Sequence, residues 1–88
     1  MEYYFYAIRS EKDGRIYKGI SKDVNQRLHW HNLSKTKSTK GYIPWVLVCV
    51  EKIGSIEAAL KKEKYYKSGI GREKLKELIK QWPRSSAE

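Results

Sequence analysis

Residues 15–32 read "RIYKGISKDVNQRLHWHN", and the fold turns on where a period of two gives way to a helical period. Over "RIYKGI" the alternation puts Ile16 and Ile20 on one face of a strand and Tyr17 and Gly19 on the other. Asp23, with Gln26 three residues on, has the form of a capping box. "DVNQRLHWHN" therefore predicts a helix ending near Asn32, with Val24 and Leu28 as its core stripe.

Working toward the N-terminus, "YYFYAIR" (residues 3–9) is aromatic and favours a strand. "SEKDG" after it supplies the turn residues Asp13 and Gly14, so the first two strands form a hairpin. Toward the C-terminus, "LSKTKSTKGYIP" (residues 33–44) has three lysines and no periodicity, and reads as a mobile basic loop that is either simply solvated or in contact with phosphate. "WVLVCVE" is a continuous apolar run, suited to a strand covered on both faces or placed at the sheet centre. Ser55 caps a second helix, "IEAALKKEKYYKS". Gly69 and Gly71 break it, and "REKLKELIKQW" forms a third, with Leu75, Leu78, Ile79 and Trp82 at helical spacing. The expected architecture is α/β (α+β), order β-β-α-β-α-α: a small central three-stranded antiparallel sheet flanked by three helices. Residues 1–82 make one domain, and 83–88 a flexible tail.

The charge is the second constraint. Nineteen Lys and Arg face ten Asp and Glu, a formal +9 over 88 residues. The basic residues are spread over helices and loops, so the charge belongs to a folded surface and favours a polyanionic partner. Nucleic acid leads, followed by an acidic protein or a membrane surface. The single cysteine, Cys49, lies in the apolar run "PWVLVCV" and reads as buried packing, compatible with a reducing compartment. The opening "MEYYFYAIRSEKDG" lacks the basic and apolar regions of a signal peptide, and no apolar stretch approaches the roughly 20 residues that cross a bilayer. A cytoplasmic protein is expected.

Three polar residues sit beside apolar stripes. On the second helix, Ile56, Leu60 and Lys67 fall within about 40° of one another with Ala59 about 60° to one side, and Glu63 lies in the middle of that stripe. A carboxylate there must take up a proton or find a cation, whether a neighbouring lysine, Arg27 or a metal ion. On the first helix Arg27 and His31 flank the Val24 stripe one turn apart, and His31 is either a satisfied boundary residue or a ligand. His29 points away and should be exposed. Trp30 and Trp45 are open to core packing, interface contact or base stacking. No cysteine pair, HExxH or inward carboxylate pair is present, so any metal would be one hard cation on one carboxylate.

Tyr6 lies eleven residues before Tyr17, Tyr17 two before Gly19, Gly19 eight before Arg27, and a glutamate follows on a later helix. This ordered spacing resembles the GIY-YIG nuclease family, with "YFY" (residues 4–6) in place of the first motif and "YKG" (residues 17–19) in place of the second. "SKDVNQRLHWHN" is similar to the family's arginine-bearing helix, "KSTKGYIPWVLV" to its basic loop and third strand, and "EAALKKEKYYKS" to its glutamate-bearing helix. The likeness spans roughly residues 3–80 and is nearest to small stand-alone members and to the catalytic part of structure-selective and excision-repair nucleases. Tyr4 stands where many members have glycine, Lys18 fills the centre of the second motif, Ile20 replaces a basic or polar residue found in some repair nucleases, and no asparagine follows Glu63.

The resemblance implies a metal-dependent DNA endonuclease acting in repair or recombination, possibly on branched or single-stranded DNA and with a protein partner for targeting. It implies Tyr17 as general base with Tyr6 hydrogen-bonding or sharing that role, Arg27 as phosphate clamp, His31 orienting phosphate or tyrosine, and Glu63 holding Mg²⁺ or Mn²⁺. Gly19 would let DNA approach the strand, and Lys35, Lys37 and Lys40 would contact phosphates without reading sequence. The rival readings are a non-catalytic basic nucleic-acid-binding module of the same fold and a basic adaptor for an acidic protein.

Overall fold

The computed structural model describes residues 2–33, 37 and 39–82. Strands β1 (Tyr3–Ser10), β2 (Ile16–Ser21) and β3 (Trp45–Gly54) and helices α1 (Val24–Asn32), α2 (Ile56–Lys67) and α3 (Gly69–Gln81) follow in the order β1-β2-α1-β3-α2-α3. The sheet is antiparallel throughout, in the order β2-β1-β3. The centre thus falls to β1, not to the aliphatic β3. Phe5, Tyr6, Ala7 and Ile8 are all buried, as they must be on a strand with a strand on either side and a layer over each face. β3 takes an edge, with both of its faces covered.

The hairpin closes as the sequence predicts. Gly14 adopts φ of 83° and its N–H donates to the Ser10 carbonyl. The Ser10 hydroxyl, itself buried, donates to the Tyr42 carbonyl at 2.6 Å and accepts from the N–H groups of Lys12 and Asp13.

β1 divides the interior in two. Phe5 and Ala7 face α2 and α3, in a cluster with Val48, Cys49, Tyr66 and Leu75. Tyr6 and Ile8 face α1, in a cluster with Trp45, Tyr17, Val24 and Leu28. The pairing of β1 with β3 slips by one residue between Ala7, opposite Cys49, and Ile8, opposite Leu47. The extra residue, Val48, is a bulge. It allows Val48 and Cys49, neighbours in sequence, to enter the same cluster. On β2 the simple alternation holds: Ile16 and Ile20 pack toward α2 and α3, Tyr17 toward α1.

The helix starts follow local rules. Asp23 caps α1 by accepting from the Gln26 N–H, and Ser55 caps α2 by accepting from the Ala58 N–H. Two expectations are corrected. The core stripe of α2 runs through Ala59 and Tyr66, both buried, while Leu60 is half exposed and Lys67 lies outside. Glu63 therefore stands at the edge of the stripe and not in its middle. Gly69 and Gly71 open α3 instead of merely breaking the helix before it. Ser68 ends α2 and caps α3, accepting from the Gly71 N–H. A Cβ on Gly71 would fall 1.7 Å from the Tyr65 carbonyl oxygen, so the tight α2–α3 corner exists because that position has no side chain.

Within 33–44 the described residues are not loose: Lys40–Tyr42 form a 3-10 turn and Thr39 is fully buried. Lys35 lies outside the described residues, as do residues 83–88.

Candidate active site

On the α1 side of the sheet, Tyr6 and Gly19 face each other across the β1–β2 pair. A Cβ on Gly19 would come within 2.8 Å of the Tyr6 hydroxyl and 3.0 Å of the ring carbon that bears it. The glycine thus makes room for a tyrosine ring of the protein itself.

The Tyr6 hydroxyl lies 3.0 Å from His31 Nε2, and His31 Nδ1 lies 2.8 Å from the Thr39 hydroxyl. His31 is buried with both ring nitrogens satisfied. Burial, and then the nearby Arg27 guanidinium, hold its pKa below the ordinary histidine value. It is neutral at neutral pH, donating from one nitrogen and accepting on the other. Hydroxyls can take either role, so the chain Thr39–His31–Tyr6 can reverse its direction without moving a heavy atom.

Burial is also the main influence on Tyr6, whose pKa is pushed up to about 12. Tyr17 and Glu63 push in the same direction and Arg27 opposes them. Tyr17 from β2, Arg27 from α1 and Glu63 from α2 are thus near enough to act electrostatically on the Tyr6 hydroxyl. The Tyr17 ring packs edge-on to His31 at 4.9 Å and to Trp45 at 6.4 Å between ring centres, and lies 6.5 Å from the Tyr6 ring. Tyr17 is only partly buried, whereas Tyr6 is fully buried.

Glu63 keeps about a fifth of its side chain exposed (22%), and one oxygen lies 3.4 Å from Lys67 Nζ. Lys67 holds the place a bound cation would take. Among the described residues no three His, Cys, Asp or Glu side chains cluster, so the donor set fits one hard cation that keeps most of its water and completes its shell with substrate oxygens. Lys37 and Lys40 are exposed.

One supporting residue, Thr39, carried no signal in the sequence, and a second, Trp45, takes the core-packing role among those open to it. Thr39 is one of several hydroxyl residues in a polar stretch, and only the fold places it against His31. Trp45, buried at 3% exposure, donates its indole N–H to the Thr39 carbonyl. The Asn32 side chain bonds both the N–H and the carbonyl of Trp45, at 2.6 and 3.0 Å, tying the end of α1 to the start of β3. Trp30, by contrast, is exposed on α1 with the Arg27 guanidinium 5.9 Å from its ring.

Residues 2–76 match the family profile described as the GIY-YIG catalytic domain. The chain belongs to that family. Two UPF0213 proteins from strains of Staphylococcus epidermidis are each 39% identical over 77 residues, covering 86% of this chain and 94% of the relative. The solution NMR structure of a UPF0213 protein from Bacillus halodurans is 33% identical, with a TM-score of 0.54 over 89% of this chain and 85% of that one. The chain is thus similar to small stand-alone GIY-YIG proteins. GIY-YIG domains are endonuclease domains that act on DNA and generally need a divalent metal. Among the described residues no helix is long and apolar enough to cross a membrane.

Proposed function

We propose that this GIY-YIG protein hydrolyses phosphodiester bonds in DNA, as a single nuclease domain over residues 1–82, and serves repair or recombination. The observation that carries the reading is the packing of Tyr6 from β1, Tyr17 from β2 and His31 from α1 into one cluster, with the Tyr6 hydroxyl bonded to His31 and Arg27 one turn before it on the same helix.

The two tyrosines differ in what they can do. Tyr6 is buried, bonded to His31 and raised to about 12, so it stays protonated and acts as a hydrogen-bonding support. Tyr17 is the less buried of the two and is assigned as general base toward the attacking water. His31 holds Tyr6 on one side and packs against the Tyr17 ring on the other, fixing the relative position of the two phenols. Arg27 offers a planar fork that can grip two oxygens of the scissile phosphate and offset the charge gained in the transition state. Glu63 is the carboxylate for Mg²⁺ or Mn²⁺, with Lys67 moving aside. When bound, the ion supplies Lewis-acid stabilisation of a phosphate oxygen and of the leaving oxygen. Lys37 and Lys40 add contacts to neighbouring phosphates, and Trp30, beside Arg27, presents a stacking face. Lys35 is assigned to the same basic stretch from the sequence alone.

The test is nicking of labelled single-stranded, duplex, flap and four-way-junction DNA in Mg²⁺. Tyr17→Phe and Glu63→Ala should each lose about 10²-fold or more of the rate, with DNA affinity nearly unchanged. Cleavage by both variants at the wild-type rate would sink the assignment. Binding without cleavage by the wild type would favour a non-catalytic module.

A further inference from the structure

Because β2 alternates, Lys18 between Tyr17 and Gly19 projects to the face opposite the active site, with Ile16 and Ile20. There it borders a depression of about 130 Å³ between β2 and α3, lined by Ile16, Lys18, Arg72, Leu75, Lys76 and Ile79. The floor is aliphatic and the rim is entirely cationic. At roughly 30 Å³ per water-sized group, the space takes about four such groups, the scale of a phosphate or a small ring.

Lys18 is half-buried, and among the described residues neither it nor Arg72 forms an ion pair. Burial, then Arg72, then Lys67, disfavour its charge. Lys76 pairs with Glu73 at 3.7 Å, but both side chains are mostly exposed, so that pair holds Lys76 only weakly. A fold that gathers three cations with only the exposed Glu73 beside them carries a repulsion that a bound anion would turn into attraction. The aliphatic floor adds a second requirement: the ligand has an apolar ring or sugar attached to its anion. A nucleotide meets both.

Sheet order connects this depression to the active site. β2 is an edge strand, so no further strand covers its outer rim. Tyr17 and Lys18 are consecutive there, their Cα atoms about 3.8 Å apart along the chain, on opposite faces. A nucleic-acid strand passing over that rim meets the Tyr17 face first and the Lys18 face a few nucleotides later. Duplex DNA, with a persistence length of about 150 bp, does not bend around the edge of a single β-strand; an unpaired strand does.

We propose that the depression between β2 and α3 is a second nucleotide subsite, in which Lys18, Arg72 and Lys76 hold a phosphate and Ile16 and Ile79 carry its sugar or base, on an unpaired strand that crosses the β2 edge. The proposal rests on the nuclease reading for its direction of approach, while the subsite itself is a binding claim that can be tested separately.

The test uses the full chain with Lys18→Gln, Lys76→Gln and the double variant Lys18→Gln/Arg72→Gln. Binding to a labelled oligothymidylate and to a duplex of equal length is followed by fluorescence anisotropy over a salt series, without metal. Thermal melting shows that each variant is folded, and the exposed Lys76 serves if a change at Lys18 disturbs the core. The expected result is a several-fold loss of oligothymidylate affinity at about 100 mM salt. The slope of log K against log salt should become shallower by about 0.7 per phosphate contact removed, and duplex affinity should change less than twofold. Unchanged single-strand affinity and slope, or equal losses on both DNAs, would overturn it. Nicking of the flap substrate separates the two readings. If Tyr17→Phe abolishes cleavage while the glutamine variants bind and cut like wild type, the subsite falls and the nuclease stands. If the wild type never cuts but the glutamine variants lose single-strand affinity, the subsite stands and the nuclease falls.

Discussion

Replacing Gly19 by alanine tests the centre of the site with one methyl group. The backbone tolerates the change, since Gly19 is not among the glycines with positive φ, and fewer unfolded conformations would favour alanine by about 0.4–1 kcal/mol. Against this, the new Cβ would stand 2.8 Å from the Tyr6 hydroxyl and 3.0 and 3.1 Å from two ring carbons. Ordinary contact needs about 3.5 Å or more, so the ring must retreat by half an ångström or more. It has nowhere to go: Tyr6 is 1% exposed and packed with Ile8 and Trp45. Overpacking of this kind costs about 1–3 kcal/mol, and weakening the Tyr6–His31 hydrogen bond a further 0.5–1.5 or so. The net expectation is a loss near 2 kcal/mol, which for a domain of this size lowers Tm by about 8–16 °C. Thermal unfolding followed by far-UV circular dichroism reads that shift. Gly41→Ala, where nothing lies within 4 Å of the added atom, is the control and should stay within about 0.5 kcal/mol of wild type. Tyr6→Phe removes the atom nearest the new methyl, so the Gly19→Ala/Tyr6→Phe double variant should cost less than the sum of the singles. Wild-type stability of Gly19→Ala, or strict additivity in the double variant, would refute the argument that Gly19 exists to admit the Tyr6 hydroxyl.

Two further outcomes follow from the same geometry. Gly71→Ala should destabilise by well over 2 kcal/mol and far more than Gly69→Ala, because the added atom meets the Tyr65 backbone at 1.7 Å in one case and nothing within 4 Å in the other; urea denaturation of the pair reads the difference. His31 has a lower pKa folded than unfolded, so the unfolded chain binds more protons below the ordinary value of about 6.5. Its contribution is complete above that pH and is lost as pH falls from there toward the folded value. Urea midpoints at intervals from neutral pH into the acid range should show this loss, and it should be absent from His31→Gln.

Much of the fold was legible because it obeys short-range rules. Asp23 and Ser55 are three residues from the N–H groups they accept, Gly14 answers to a turn, and the alternation of Ile16, Tyr17, Gly19 and Ile20 needs only a strand. What depended on distant partners was not. The helical wheel of α2 placed Leu60 on the core side with Ala59 at its margin, whereas the sheet covers Ala59 and Tyr66, one small and one with a polar end. Gly71 looked like a breaker, since the contact that requires it is with Tyr65 across a corner. The β3 run suggested the sheet centre by its apolarity, yet β1 has apolar side chains on both faces and takes that place. In the site, the helical wheels brought Arg27, His31 and Glu63 to notice, and the resemblance to the family joined them to Tyr6 and Tyr17. That Thr39 stands behind His31 emerged only from the packing, which also chose Lys67 among the neighbouring lysines open to Glu63.

The division of the interior by β1 bears on how this protein can change over time. Odd-numbered residues of β1 belong to the layer under α2 and α3, and even-numbered residues to the layer that holds the tyrosines. Two neighbouring codons of one strand thus answer to different masters. Drift at Phe5 or Ala7 retunes the durability of the helical layer, while Tyr6 and Ile8 answer to the geometry around His31. A lineage can trade robustness on one side of the sheet without rewriting the chemistry on the other, while β2 and β3 also supply residues to both layers.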